Sequence, residues 1–260
     1  VPFISTPVPP ITGTDPAGTA EGWTSRLWAS ADVFGQPVPL KVSRYWLAPG
    51  NQVPGIPLGS TEAFAYVIAG SGTALALPAA DGERFALAAE SVLWLSACDA
   101  LTIEAGPEPI DLLVARTTGP GPEGGFTPLR KAFAAAELPH LVSTRDTRDR
   151  LDLVTENVPV GARAVRADRI IYHPGDTAAA HYHTDCHHVF CVLAGSGLLY
   201  TDGEANRLEA GLSALVTPGE THWFENDRQE DFAFVELWAP PPAETVWTVA
   251  GDRCTWAPSS

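Results

Sequence analysis

The sequence predicts an all-β protein built from two similar halves, and three observations carry that prediction. Short runs of alternating apolar and polar residues, rich in β-branched and aromatic side chains, recur along the chain. The 23 glycines and 24 prolines fall between these runs as turn punctuation, without a short repeat of their own. Matching turns also return at equal spacing. Pro49-Gly50 stands twenty residues before the Gly70 of Ala69-Gly70-Ser71-Gly72, and Pro174-Gly175 stands twenty residues before the Gly195 of Ala194-Gly195-Ser196-Gly197.

In chain order, residues 1 to about 40 are rich in Pro and Gly, with one strand around Thr24–Trp28, and read as an arm lying along the body. From Lys41 the pattern gives strands at Val42–Leu47, Ala63–Ile68, Ala74–Leu77, Ser91–Leu95, Leu101–Ile103 and Ile110–Ala115. Thr117–Thr127 breaks the composition and reads as a linker. Pro128–Leu138, with its run of alanines, is the one segment that predicts a helix. Asp146–Arg150 is a charged turn, and strands resume near Leu151. Two domains follow, 1–127 and 128–260, with the short helix at the start of the second.

Composition excludes several function classes. A net charge of −15 argues against a nucleic-acid partner and against docking on an anionic membrane, since both need clustered Lys and Arg. No stretch is long and apolar enough for a transmembrane helix, and the N-terminal residues lack the basic and apolar regions of a secretion signal. A cytoplasmic protein is expected. The four cysteines, Cys98, Cys186, Cys191 and Cys254, are irregularly spaced and predict reduced, packed thiols rather than a disulfide framework. Cys186 and Cys191 flank the histidine cluster, so one of them could approach a metal.

Five of the seven histidines fall between Gly175 and Asn226: His181, His183, His187, His188 and His222. Neutral imidazole is a common ligand for divalent transition metals. Residues two apart on a strand share a face, so His181 and His183 can aim at one point while His222 arrives on another element after Pro218-Gly219. Isolated histidines in β-proteins are usually structural, but scattered ones have no reason to cluster at strand spacing around turn glycines.

Overlaying the halves is informative. With the offset that carries Gly50 to Gly175, His181 falls on Ile56, His183 on Leu58, His187 on Glu62 and His188 on Ala63. With the offset that carries Glu90 to Gly211, His222 falls on Leu101. One half is therefore expected to hold metal, and the other to fill the same place with hydrocarbon.

At these residues the chain resembles the cupin superfamily in its two-domain form, the bicupins. Gly175, five residues, His181-Tyr182-His183, four residues, His188, six residues and Gly195 follow the family's first motif. Gly211, five residues, Thr217-Pro218-Gly219-Glu220-Thr221-His222, three residues and Asn226 follow the second. The resemblance is strong over about 50 residues and weaker over the rest of the duplicated scaffold. It implies two tandem antiparallel β-barrels of jelly-roll type, the C-terminal one holding a single divalent ion. The departure is at the family's Glu ligand: six-residue spacing to Gly195 puts His188 there, preceded by His187, giving His181, His183, His188 and His222 as an all-imidazole set. Four neutral ligands cancel none of the ion's charge, which favours an anionic substrate.

All-His cupin sites resemble those of some ring- or diketone-cleaving dioxygenases. The resemblance thus implies a non-heme dioxygenase using Fe, with Mn, Ni, Cu or Zn also compatible with the ligands. Its substrate would be a small molecule that chelates through oxygen. The alternatives are a non-redox metal hydrolase, isomerase or lyase, similar to the ureidoglycine aminohydrolase bicupins, and a storage or small-molecule-binding bicupin. Bicupins also imply a homo-oligomer. Tyr172, Tyr200 and His187 are candidate catalytic groups, with His173, Tyr182, Glu220 and Trp238 as further orienting candidates. Strand parity puts Phe190 with His188 and Phe224 with His222, as barrel wall. Asn226 reads as a turn stabiliser.

Overall fold

The computed structural model of the chain describes residues 2–5, 11–14, 21–77, 83–119, 125–155 and 162–259. Almost every described element is a strand, and every strand pairing is antiparallel. Two compact units form. One comprises Val8–Ala31 and Val38–Leu138; the other comprises Val1–Pro7, Asp32–Pro37 and Pro139–Ser260. The units therefore divide at 138/139 instead of 127/128, and the first residues group with the C-terminal unit. There Phe3–Ile4 pairs with Ala214 and Leu215, and the Ser5 and Ser213 hydroxyls lie 2.9 Å apart. Residues 120–124, the middle of the expected linker, lie outside the described residues.

The expected helix at Pro128–Leu138 is not formed. Leu129–Phe133 is a strand, pairing residue by residue with Val92–Ser96, and only Ala135–Glu137 makes a single 3-10 turn. The reason is length and context. Pro128 and Pro139 bracket too few residues for a helix to stand on propensity alone, while a neighbouring strand offers five backbone pairings and Phe133 becomes buried. A four-residue helix at Ala31–Phe34 was not expected from the sequence. Other expected strands are present but longer: Ser91–Leu95 and Leu101–Ile103 belong to one strand, Val92–Ala105, that passes a left-handed Ala97.

The C-terminal unit has an eight-stranded and a five-stranded sheet. Phe190, Phe224, Phe232, Phe234, Leu199 and Val216 from the two sheets form one core between them. The same central strand order occurs in both units. In the C-terminal unit it is Arg166–Tyr172, Phe232–Ala239, His187–Ala194, Ser213–Val216; in the N-terminal unit it is Leu40–Leu47, Ile110–Thr117, Gln52–Ala69, Val92–Ala105. One glycine position shows how closely the copies agree. Gly70 and Gly195 both have positive φ, and an added Cβ would lie 1.9 Å from Pro109 O in one unit and 2.0 Å from Asp231 O in the other. Only glycine lets those backbones approach. Among the described residues no helix is long and apolar enough to cross a membrane.

Candidate metal centre

Three histidines converge in the C-terminal unit. His181 and His222 are direct cross-strand partners with ring centroids 4.5 Å apart, and His183 follows at the turn after the short strand His181–Tyr182. One ring nitrogen from each of His181, His183 and His222 falls in a group whose members lie within 4.8 Å of one another. The tautomers follow from hydrogen bonding. Nδ1 of His181 is 2.9 Å from Ala179 O, that of His183 is 3.2 Å from Glu244 O, and that of His222 is 3.0 Å from Glu220 O. A carbonyl only accepts, so each Nδ1 carries the proton and each Nε2 keeps its lone pair.

Burial holds these rings neutral. It pushes His181 down to about 4, aided by His183, and also lowers His183. His188 and His222 are lowered well below the ordinary range, first by burial and then by neighbouring imidazoles. Neutral imidazole is the ligating form, so the donor set fits a divalent transition metal.

His188 stands beside this group and outside it. Its Nδ1 is 3.1 Å from His222 Nε2, and its Nε2 is 3.2 Å from a Glu236 carboxyl oxygen. Its ring stacks on Trp238 at 4.4 Å, while the Trp238 indole N–H donates to His183 Nε2 at 3.3 Å. Burial, and then the charge of Asp168, raise the Glu236 carboxyl above the usual carboxylate range.

A cavity of about 210 Å³ opens onto the rings. Arg148, Arg150 and Arg166 also line it. Arg148 donates to Asp146 at 2.8 Å, to the Tyr172 hydroxyl at 3.1 Å and to Cys254 Sγ at 3.1 Å. Arg150 lies 3.1 Å from Asp168, and Arg166 lies 3.5 Å from the same carboxylate. The Arg166 guanidinium sits 4.9 Å from the Trp238 ring centroid, and its buried Nε has no hydrogen-bond partner among the described residues.

The other candidates sort clearly. Tyr172 is buried and lines the cavity. Tyr200 does not: it stacks on Trp223 at 4.7 Å and donates to Glu225 at 2.9 Å, away from the rings. His187 is half-buried and absent from the cavity wall, because strand alternation turns it opposite to His188. His173 bridges Asp149 and Asp231, and the Glu220 carboxylate accepts from the Thr217 amide. Phe190 packs 4.0 Å from the His188 ring, Phe224 lines the cavity, and Asn226 donates to Tyr172 O and Glu230 O at 2.8 Å each. Cys186 and Cys191 are buried away from the cavity, with burial pushing the Cys186 thiol up to about 12; the cysteine that lines it is Cys254.

The arginines, Glu236 and Cys254 belong to no motif in the sequence. A usable signal was strand parity: Glu236 shares it with Phe232, Phe234 and Trp238, and an acid at an inward position of an apolar strand is unusual.

The chain thus has two antiparallel β units of matching strand order, one of them with a histidine group that fits a divalent ion. The sequence comparison agrees: residues 168–239 match the family described as Cupin domain. That stretch, which contains His181, His183, His188 and His222, is a cupin domain. No curated protein sequence matches it. Among solved structures it is similar to the oxalate decarboxylase of Lactobacillus farciminis in complex with formate, with a TM-score of 0.73 at 14% identity over 93% of this chain and 86% of that one. It is also similar to the Bacillus subtilis oxalate decarboxylase at pH 4.6, with a TM-score of 0.71 at 14% identity over 94% of this chain and 76% of that one. At such identity the likeness establishes a shared fold.

Proposed function

We propose that the chain is a metal-dependent cupin enzyme acting on a small organic acid that chelates the ion through oxygen. The observation that carries this reading is the group formed by His181, His183 and His222, whose nitrogens lie within 4.8 Å of one another. These three residues would hold the ion by Nε2, and His188 would add a fourth nitrogen through Nδ1, its Nε2 being engaged with Glu236. The ion would act as a Lewis acid on substrate oxygen. The protein's own part is positioning. Arg166 and its neighbours offer charge-assisted donors to a carboxylate, Tyr172 and Trp238 close the walls, and Glu236 fixes the His188 ring.

Within this class, the all-imidazole set supports a non-heme dioxygenase working with Fe. A second reading is a non-redox lyase or hydrolase, and the arginine wall favours it, because it suits a substrate carrying a carboxylate beyond its chelating oxygens. Decarboxylation is the activity named for the two structural neighbours cited above.

The test is a panel of dicarboxylates, 2-oxo acids and 1,3-diketones offered to Fe- and Mn-loaded protein, with and without oxygen. One O₂ consumed per substrate supports the dioxygenase. Substrate loss without oxygen supports the non-redox enzyme. Tight binding of an acid with no turnover under either regime would sink both and leave a binding protein.

A further inference from the structure

The N-terminal unit has lost its ligands but keeps a cavity at the equivalent place. It measures about 200 Å³, and Ile56, the counterpart of His181, lies in its wall. Leu27, Pro57 and Val114 extend the hydrocarbon side. The polar side carries Lys41 and Arg116, together with Ser43 and a half-buried Tyr45.

Lys41 and Arg116 are direct cross-strand partners on antiparallel strands. Like charges in that position repel, and a fold under no other demand has reason to avoid them. This chain is acidic, with 31 Asp and Glu against 16 Lys and Arg. Even so, neither residue has a carboxylate partner among the described residues. The C-terminal unit treats the same positions differently. There Arg166 faces Trp238, lies over its ring and pairs with Asp168. At the N-terminal positions a second cation replaces the ring, and Ser43 replaces the acid.

We propose that this cavity is a second, metal-free binding site for a small carboxylic acid with an apolar, ring-sized body. The carboxylate would lie between Lys41 and Arg116, and the body against Leu27, Ile56 and Val114. The volume suffices, since an apolar cavity of roughly 150 Å³ already holds benzene. Two facing cations with hydroxyls beside them supply charge-assisted donors for both carboxylate oxygens. Neutral molecules of the same shape lack that anchor, so the site discriminates by charge.

The probe is benzoate, with benzamide as its neutral counterpart, titrated calorimetrically into the full chain after chelator treatment. We expect saturable benzoate binding that weakens as salt is raised, and no measurable benzamide binding. Lys41→Gln with Arg116→Gln should lower benzoate affinity by about tenfold or more. Because those substitutions relieve a like-charge pair, the melting temperature should hold or rise, which separates lost binding from lost folding. Three outcomes overturn the proposal: no saturable heat up to roughly 20 mM benzoate, equal binding of benzamide, or benzoate binding unchanged by the double substitution, which would place it in the histidine cavity.

Discussion

The two units solve the same packing problem with different chemistry. In the C-terminal unit His181 faces His222 across neighbouring strands; in the N-terminal unit their counterparts Ile56 and Leu101 face each other in the same register. Ile56, Leu58, Ala63 and Leu101 all lie in the N-terminal hydrophobic core. The strands differ as well. Gln52–Ala69 and Val92–Ala105 run through, whereas the C-terminal equivalents break between Tyr182 and His187 and between Val216 and His222. Those breaks free backbone to turn inward, and the Gly219 amide, inside one of them, is held by His183 O at 2.7 Å. The N-terminal unit sets apolar side chains at the ring positions on uninterrupted strands; the C-terminal unit, which presents nitrogen lone pairs there, has loops and backbone acceptors that orient its rings. The difference teaches that the site is built by interrupting the scaffold.

Four substitutions or conditions probe this comparison. The largest effect is expected where the copies agree. Gly195→Ala and Gly70→Ala should each cost more than about 4 kcal/mol in chemical denaturation, or abolish folding, because a backbone carbonyl occupies the Cβ position. A cost below about 1 kcal/mol in either unit would deny the shared close approach. Next, Leu101→Ala should cost about 3 kcal/mol through its cavity while leaving metal content intact. Metal lost along with Leu101 would mean that the filled barrel supports the site.

The third is pH. In metal-free protein the native His181 ring does not protonate until about 4, against an ordinary 6.5. The unfolded chain therefore binds more protons through that window, and stability is lost as pH falls from about 6.5 to about 4 and is flat above it. His188 and His222 act in the same direction. Melting temperatures of chelator-treated protein between pH 7 and 5.5 should fall, and the slope should shrink when His181→Ile is combined with His222→Leu. Equal slopes would contradict buried neutral rings. The smallest effect concerns backbone strain. Glu90 has φ of +62° where its counterpart Gly211 has +89°. Glu90→Gly should stabilise the protein by ~0.5 kcal/mol, since left-handed backbone disfavours side chains.

Much of this was legible in the sequence, for identifiable reasons. Turn glycines and equal spacing are local, so the duplication and the strand-rich fold could be read directly, as could the pairing of His181 and His183 on one face. The Pro128–Leu138 segment misled because its alanines express intrinsic helix preference, which a waiting strand overrode. The arginine wall was invisible for another reason. Arg148 and Arg150 sit in what reads as a charged turn, and Arg166 lies on a separate strand, so only tertiary packing brings them to one cavity. His188 was readable as a cluster member, but its partner Glu236 arrives from a distant strand, and the sequence carries no mark of that pairing.

The most direct test counts transition-metal ions per chain in protein prepared without chelator, for the native sequence and for His181→Ile combined with His222→Leu, which gives the C-terminal barrel its neighbour's residues. The account predicts one ion per chain in the first and less than about a tenth, the level of adventitious binding, in the second. A full equivalent retained by the substituted protein, or none taken up by the native one after reconstitution, would contradict it.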